Sequence, residues 1–580
     1  VDKAAAAAIL EDVANLMELT GENPFKVRAY QNAARAIGSL EEPLDELVAS
    51  GRLKTVPGLG ETLIQRVEEL VRTGHMVYYD ELQARVPEGL RTMLRIPGLG
   101  PKKVRAIHEQ LGISTVAELQ EAAEEGRIAR LPGFGAKTQD NILKGIAFLT
   151  QHQDHFLYPV AETEAATVVS ALRELPQVQR ISVAGSLRRH KEVVKDIDIV
   201  ASVARDEDRA AIMNRFTQLP NVISITGKGD TKSSVVTTPG IAIDLRVVRD
   251  SEYPYALHHF TGSREHNIAL RGRAHAMGIK INEYGLFRGD ALIPCHDEAD
   301  LYQALDMQYI EPELREDRGE IEAALAHALP ILATMADIRG ILHVHSTWSD
   351  GQASIQDMAE ACRAQGYAYL GICDHSKAAS YAHGLSEERV RQQHEEIDAL
   401  NAAYGGTFHI LKGTECDILR DGTMDYRDDV LATFDFVVAS IHSHFNLSEA
   451  EQTNRLIRAM QNPYTSIIGH PTGRILLSRE GYKVDMEAVI DAAGEYGVCI
   501  EINANPLRLD LDWRWLQRAR ERGVKVPVNP DAHAPSGYQD MIYGMGIARK
   551  GWLTAEDIPN TYPIEKLRAF FAQQRARARR

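Results

Sequence analysis

Asp196 and Asp198 stand one residue apart in a run, Asp196 to Ala201, that alternates polar and apolar side chains as a half-buried strand does. Side chains two apart share a strand face, so the two carboxylates point together while Ile197 and Ile199 enter the core. A second such run, Ile241-Ala242-Ile243-Asp244-Leu245, reads as a neighbouring strand that adds a third carboxylate. Three carboxylates on one face repel unless hard divalent cations, here Mg2+ or Mn2+, sit between them. Two such ions about 3.5–4 Å apart stabilise both the attacking and the leaving oxygen of an in-line displacement at phosphorus. Upstream, the strand Ile181 to Ala184 runs into Gly185-Ser186-Leu187-Arg188-Arg189. That segment offers a backbone able to approach phosphate, a hydroxyl donor and two guanidinium groups, the parts of a triphosphate site.

A second set of reactive residues follows Ile338. Short apolar runs ending in His, Asp or Glu alternate with helical segments: Ile341 to His345, Leu370 to His375, Ile410 to Glu415, Val437 to His442, Ile467 to His470, Val498 to Ile502 and Val526 to His533. Near-continuous apolar runs separated by helices are the pattern of buried parallel strands, and ligands at successive strand carboxyl ends converge on one barrel mouth. A lone buried histidine is usually structural. Six histidines with three carboxylates at matching strand ends indicate a metal cluster, and mixed imidazole and carboxylate ligation suits manganese, zinc or iron better than magnesium.

The elements that must position these sites include a third motif near the amino end. Pro57-Gly58-Leu59-Gly60, Pro97-Gly98-Leu99-Gly100 and Pro132-Gly133-Phe134-Gly135 recur between apolar helical segments as a repeated helix-hairpin-helix. The glycines permit a tight turn, and free N–H groups at the next helix start bind a DNA phosphate without reading bases. Lys102, Lys103 and Lys137 follow two of the turns.

With Phe260-Thr261-Gly262-Ser263, Asn267 and Arg271 downstream, residues 10–315 closely resemble the family X DNA polymerases, the group of DNA polymerase beta. The resemblance implies that Asp196, Asp198 and Asp244 hold the catalytic ions, with Asp244 nearest the primer 3′-hydroxyl. Gly185, Ser186 and Arg189 would hold the nucleotide's phosphates. Phe260 and Gly262 would lie against its sugar, with Asn267 and Arg271 at its minor-groove side and the template. Two residues depart from the pattern: Ala242 replaces an arginine beside the third carboxylate, and His259 replaces the tyrosine of the sugar-contacting pair. In the amino-terminal hairpin domain, Arg66 stands at the Schiff-base lysine position, and a guanidinium cannot act as that nucleophile. Lys26 and Tyr30 match 5′-phosphate contacts, and Gly58, Gly60, Gly98, Gly100, Gly133 and Gly135 would meet the DNA backbone.

The carboxyl-terminal runs resemble the PHP (polymerase and histidinol phosphatase) domain. Matched to that family, His343, His345, Glu415 and Asp531 would hold one ion, Glu415, His442 and His470 a second, and Asp350, His375 and His533 a third. No ligand position is missing, which implies an active hydrolase. His383 and His444 remain as phosphate contacts or surface histidines.

At 580 residues with 44% hydrophobic content, the chain is too long for one core. The expected fold is multidomain α+β and α/β, with helix-hairpin-helix domains, a beta-like nucleotidyltransferase palm and thumb, and a distorted (β/α)7 PHP barrel. The expected divisions are 1–82 (lyase-like hairpin domain), 83–150 (fingers), 151–248 (palm), 249–318 (thumb), 319–337 (linker) and 338–575 (PHP). The net charge of −16 gives no support to DNA binding, which must rest on local basic groups at Arg188 to Lys191, Lys228 with Lys232, Arg264 to Lys280 and the terminal Arg575 to Arg580. Five scattered cysteines without a Cys-x-x-Cys fit free thiols in a reducing compartment. Neither signal peptide nor membrane anchor is read, and the expected setting is a bacterial cytoplasm, at the nucleoid when on DNA.

The function implied is a monomeric gap-filling DNA polymerase of repair, acting on gapped or nicked duplex and primer 3′ ends with dNTPs, whose PHP domain trims 3′ ends. One rival is a DNA-end-binding nuclease or scaffold with a vestigial polymerase site. Another is a nucleotidyltransferase acting on RNA or small molecules, which would have no reason to carry three hairpins.

Overall fold

The computed structural model describes residues 3–38, 40, 44–152 and 154–577, apart from the side chains of residues 4, 151 and 577; residues 578–580 of the terminal arginine run lie outside the described residues. The chain divides into two compact units, Val1–Gln153 and Asp154–Arg580. Among the described residues, no helix is long and apolar enough to cross a membrane.

The first unit is helical. Each Pro-Gly-x-Gly turn has its first glycine at positive φ (Gly58 86°, Gly98 79°, Gly133 80°), a conformation that side-chain-bearing residues resist. Helices Glu61–Thr73, Pro101–Leu111 and Ala136–His152 follow the turns directly. A Cβ added at either glycine of any turn would meet nothing within 4 Å, so all three turns face open space. The first and third hairpins are entered by short 3-10 turns, Arg52–Thr55 and Ile128–Arg130, rather than by longer helices.

The second unit begins with a five-stranded sheet in the order Ile181–Val183, Asp196–Val203, Ala242–Arg249, Lys232–Thr237, Val222–Lys228. Alternation decides its two faces. Ile197, Ile199, Ile243 and Leu245 are buried with Val168, Leu172, Ile212 and Phe216 of helices Tyr158–Arg173 and Arg209–Thr217, which leaves the carboxylates on the opposite face. Farther along that opposite face, Val200 packs with Tyr253, Ala256 and Leu257 of helix Tyr253–Thr261, so the sheet is covered there.

The stretch expected as a linker, 319–337, is packed in part, with Glu320, Ile321, Ala324, Leu332 and Ala333 buried, and so is the end of the expected thumb before it. Arg315 and Glu320 are fully buried, and their charges are paired: Arg315 Nη1 donates to Glu298 Oε1 at 2.6 Å, and Glu320 Oε1 lies 2.6 Å from His266 Nδ1. Beyond it, parallel strands Gly340–Val344, Tyr369–Ile372, His409–Asp417, Phe436–Ser440, Ile467–Ile468 and Cys499–Ile500 are neighbours in sequence order. Ile502–Asn503 continues the sixth strand and pairs with Val528–Asn529. A bridge from Ala532 to Val344, with His345 N–H donating to Ala532 O at 2.9 Å, returns the series to its first strand. The result is a distorted seven-stranded barrel, each strand followed by a helix or loop. All five cysteines are buried and unpaired, and burial pushes every thiol up from its ordinary value.

Candidate active sites

In the first site, the parallel pairing of Asp196–Val203 with Ala242–Arg249 sets Asp198 opposite Asp244 and Asp196 opposite Ala242, so the three carboxylates share one face. Burial, reinforced by repulsion from Asp196 and Asp244, raises the Asp198 carboxyl to about 6. A face that raises its own carboxylate in this way is short of positive charge, the electrostatic requirement that divalent cations meet. Part of that charge is supplied by Lys232, whose Nζ lies 2.6 Å from Asp244 Oδ2, while Ser234 Oγ donates to Asp244 Oδ1 at 2.6 Å. Both project from the strand antiparallel to Asp244, and they supply what Ala242 cannot.

Gly185 has φ 61°, and a Cβ there would lie 2.4 Å from Asp198 Oδ2, so a glycine is required for this turn to pass the carboxylate. The short helix Gly185–Arg188 leads to two guanidinium groups already engaged by the thumb. Arg188 Nη2 donates to Glu298 Oε2 at 2.5 Å, and its Nη1 donates to Thr261 Oγ1 at 2.7 Å. Arg189 Nη1 donates to Thr261 O at 2.5 Å and Nε to Glu316 Oε1 at 3.0 Å. A Cβ on Gly262 would be 3.1 Å from Arg189 Nη1, so the Gly-Ser-x-Arg-Arg and Phe-Thr-Gly-Ser segments meet. Phe260 lies under the Arg246 guanidinium, 4.0 Å from its ring centre. Asn267 Nδ2 donates to His259 O at 2.8 Å, Ser186 is half-buried, and Arg271 is exposed on the following helix.

The second site lies at the barrel mouth, where His343, His345, Glu415, Asp531, His375, His442 and His470 are almost wholly buried. Glu415 is its centre. Oε2 lies 3.1 Å from His375 Nδ1, 3.4 Å from His343 Nε2 and 3.5 Å from His345 Nε2. Oε1 lies 2.9 Å from His470 Nε2 and 3.2 Å from His442 Nε2. Asp531 Oδ1 is 3.0 Å from His345 Nε2, and Asp350 Oδ1 is 3.3 Å from His533 Nε2 and 3.5 Å from His375 Nε2.

Three overlapping groups could each hold an ion: His343, His345, Glu415 and Asp531; His375, Glu415 and His442; His345, Asp350, His375 and His533. His345 and His375 each belong to two groups, a sharing that strand order alone does not display. The donor set fits cations on a separate ground: His343 Nε2, His345 Nδ1, His375 Nδ1 and His470 Nδ1 are buried ring nitrogens without a hydrogen-bond partner. Burial alone would raise the Glu415 and Asp531 carboxyls, but the surrounding imidazoles outweigh it and hold both well below the usual carboxylate range. Burial would lower His442, yet Glu415 and Asp417 raise it to about 10; His345, buried beside His533 and His375, falls to about 3.

Behind the ligands stands a layer that strand-end spacing does not disclose. Glu501 Oε2 is 2.7 Å from His343 Nδ1 and accepts from Asn529 Nδ2 at 2.8 Å, and Asp417 Oδ1 is 2.8 Å from His442 Nδ1. Such partners fix the ring orientation and the tautomer that frees the other nitrogen for an ion. Glu501 and Asp417 both end or follow an apolar run, the one signal by which they could have been found.

In the first unit, Lys26 is exposed, while Tyr30 is buried and stacks with Tyr78 at 6.1 Å. Arg66 lies over the Tyr78 ring at 3.6 Å and the Tyr30 ring at 5.6 Å.

Family models match four segments: helix-hairpin-helix domain at residues 2–76, SAM-like helix-hairpin-helix tandem at 90–147, DNA polymerase beta thumb at 256–316, and PHP domain at 342–505. The chain is 39% identical, over 97% of its own length and 98% of the relative's, to the DNA polymerase/3'-5' exonuclease PolX of Bacillus subtilis (strain 168). It is 28% identical, over 40% of its length and 94% of the relative's, to a probable phosphatase of Thermoanaerobacter sp. (strain X514). It is 23% identical to DNA polymerase lambda of Rattus norvegicus, over 53% of its length and 55% of the relative's.

Proposed function

This chain belongs to the bacterial family X DNA polymerases that carry a PHP domain, and on that premise we propose that it fills short gaps in DNA during repair and trims 3′ ends with its barrel. The observation that carries the reading is the presence, in one chain, of two separate carboxylate-bearing sites that each fit divalent cations: the Asp198–Asp244 face and the Glu415 cluster.

At the first site, Asp196, Asp198 and Asp244 would hold Mg2+ or Mn2+, and at the barrel the three groups would hold Mn2+, Zn2+ or iron. When bound, such ions lower the pKa of a hydroxyl or water and neutralise charge on the leaving phosphate. The chain's own residues do the rest. Ser186 and Arg189 hold the nucleotide's phosphates, Phe260 and Gly262 bound its sugar, and Asn267 and Arg271 meet the minor-groove side and template. Lys232 and Ser234 keep the Asp244 carboxylate turned toward the primer hydroxyl. In the barrel, Glu501 and Asp417 hold His343 and His442 in one tautomer.

The open hairpin turns of the first unit support contact with the DNA backbone. With Arg66 laid on two tyrosine rings, that unit binds 5′-phosphate ends through exposed Lys26, with buried Tyr30 as the ring beneath Arg66 rather than the expected phosphate contact, and without Schiff-base chemistry. The divisions at residues 82, 150, 248, 318 and 337, a monomeric state and a cytoplasmic, nucleoid-associated setting complete the proposal.

The test is made on a gapped duplex with the full chain. Asp244→Ala is expected to abolish nucleotide addition and keep 3′ resection, and Glu415→Ala to do the converse while lowering bound metal by mass spectrometry. Loss of both activities in a folded Asp244→Ala protein would rule out independent sites.

A further inference from the structure

Arg189, the phosphate ligand of the preceding reading, belongs to a stretch of four residues gripped one after another by the barrel half. Lys550, at the end of helix Met541–Lys550, is fully buried, and its three ammonium hydrogens meet three acceptors: Arg189 O at 2.8 Å, Glu313 O at 3.3 Å and Glu316 Oε1 at 2.5 Å. His190 lies against the same helix so closely that a Cβ on Gly546 would be 2.1 Å from its Nδ1. Lys191 stands over the Trp513 ring at 4.9 Å, and its Nζ is 3.5 Å from Glu316 Oε2. Glu192 accepts from Trp513 Nε1 at 3.0 Å and pairs with Arg514 Nη1 at 3.0 Å. Trp513, Arg514, Gly546 and Lys550 all lie in the barrel half.

The charges at this junction do not balance. One carboxylate, Glu316, sits among three cations, Arg189, Lys191 and Lys550, while the nearby Glu313 carboxylate is committed to Arg549 Nε at 2.7 Å. Lys550 competes with Arg189 for Glu316 Oε1. Its charge therefore keeps Glu316 from fully neutralising the guanidinium, and its bond to Arg189 O fixes the backbone from which that guanidinium projects beside Gly262. A buried cluster short of negative charge is complementary to a polyphosphate.

We infer that Lys550, with Gly546 behind it, is a positioning residue of the polymerase site: the barrel sets the aim and the effective charge of Arg189, and so the affinity for the incoming nucleotide. The inference rests on Arg189 being a phosphate ligand. Deletion of Lys550 leaves Glu316 Oε1 to Arg189, with Lys191 still on Oε2, and frees the backbone, so nucleotide binding weakens while the aspartates that carry the chemistry are untouched.

The experiment is steady-state primer extension by the full chain with Mg2+ and a single dNTP. Lys550→Met is expected to raise KM for dNTP about tenfold or more, the loss of roughly one charge-assisted hydrogen bond, with kcat changed less than about threefold. The 3′ resection rate and barrel metal content should be unchanged. Gly546→Ala, which must displace His190 while leaving every charge in place, should move KM in the same direction by a smaller factor and covers the case in which Lys550→Met fails to fold. Arg189→Ala separates the two layers of the argument. An unchanged KM there would remove the phosphate-ligand reading itself. A raised KM in Arg189→Ala beside an unchanged KM in folded Lys550→Met, or in Gly546→Ala if Lys550→Met does not fold, would overturn the positioning role.

Discussion

The two candidate metal sites are built on opposite principles. On the nucleotidyltransferase sheet, Asp196 is exposed and Asp198 and Asp244 are half-buried, with a lysine and a serine as the protein contacts of Asp244. At the barrel mouth, Glu415 is 1% exposed and contacts five histidines, two of which are braced from behind by Glu501 and Asp417. Solvated carboxylates with open coordination suit ions that come and go with a phosphate-bearing substrate, whereas a buried and braced imidazole cage suits ions that stay. Burial of the ligands, more than their identity, distinguishes a loading site from a resident one.

The largest effect that tests this contrast is on metal retention. Glu501→Gln should lower barrel metal affinity about 10–100-fold, because it touches His343 without being a ligand itself. Metal content after dialysis against a chelator is the readout, with nucleotide addition restored by fresh Mg2+ in both proteins. Equal stripping of the barrel in wild type and variant would show that bracing does not set retention.

A smaller effect lies at the junction that joins the two sites. Burial would raise Glu316 and Glu298, but Lys550 and Arg189 in one case, and Arg315 and Arg188 in the other, bring each from 4.5 to about 2. A depressed carboxyl stabilises the fold fully above its unfolded value and loses that contribution as pH falls through the folded one. The junction should therefore weaken between about pH 4.5 and 2. Glu316→Gln should flatten the acid limb of a stability profile over that interval; an unaltered limb would remove Glu316 from the account.

The smallest effect expected is on sugar choice. His259 packs edge-on against Phe260, with ring centres 4.9 Å apart, and its carbonyl holds Asn267. Restoring the aromatic phenol with His259→Tyr should raise discrimination against ribonucleotides by a few-fold, about 1 kcal/mol or less. Identical dNTP/rNTP ratios would assign the choice to Phe260 and the backbone.

Much of both sites was legible because their residues obey local rules. Period-two alternation brings Asp196 and Asp198 together, strand-end positions align the histidines, and positive-φ glycines mark the hairpins. The illegible part is long-range. Lys232 and Ser234 meet Asp244 through an antiparallel register that nothing in their own run specifies. Arg189 reaches Glu316 across 127 residues, and Glu192 reaches Trp513 across 321. The linker expected at 319–337 begins within a charged stretch, Glu311 to Glu322, whose local composition is polar, yet paired charges can be buried, as those of Arg315 and Glu320 are.

The distribution of thiols gives the molecule an internal clock. Burial holds each cysteine protonated and out of reach, so a thiol reagent can attack only during transient opening. Cys295 lies in the thumb cluster, Cys362, Cys373, Cys416 and Cys499 lie in the barrel, and the hairpin unit has none. The rate at which Cys295 is labelled, set against that of the four barrel thiols, would time the breathing of the nucleotide-handling half separately from that of the barrel.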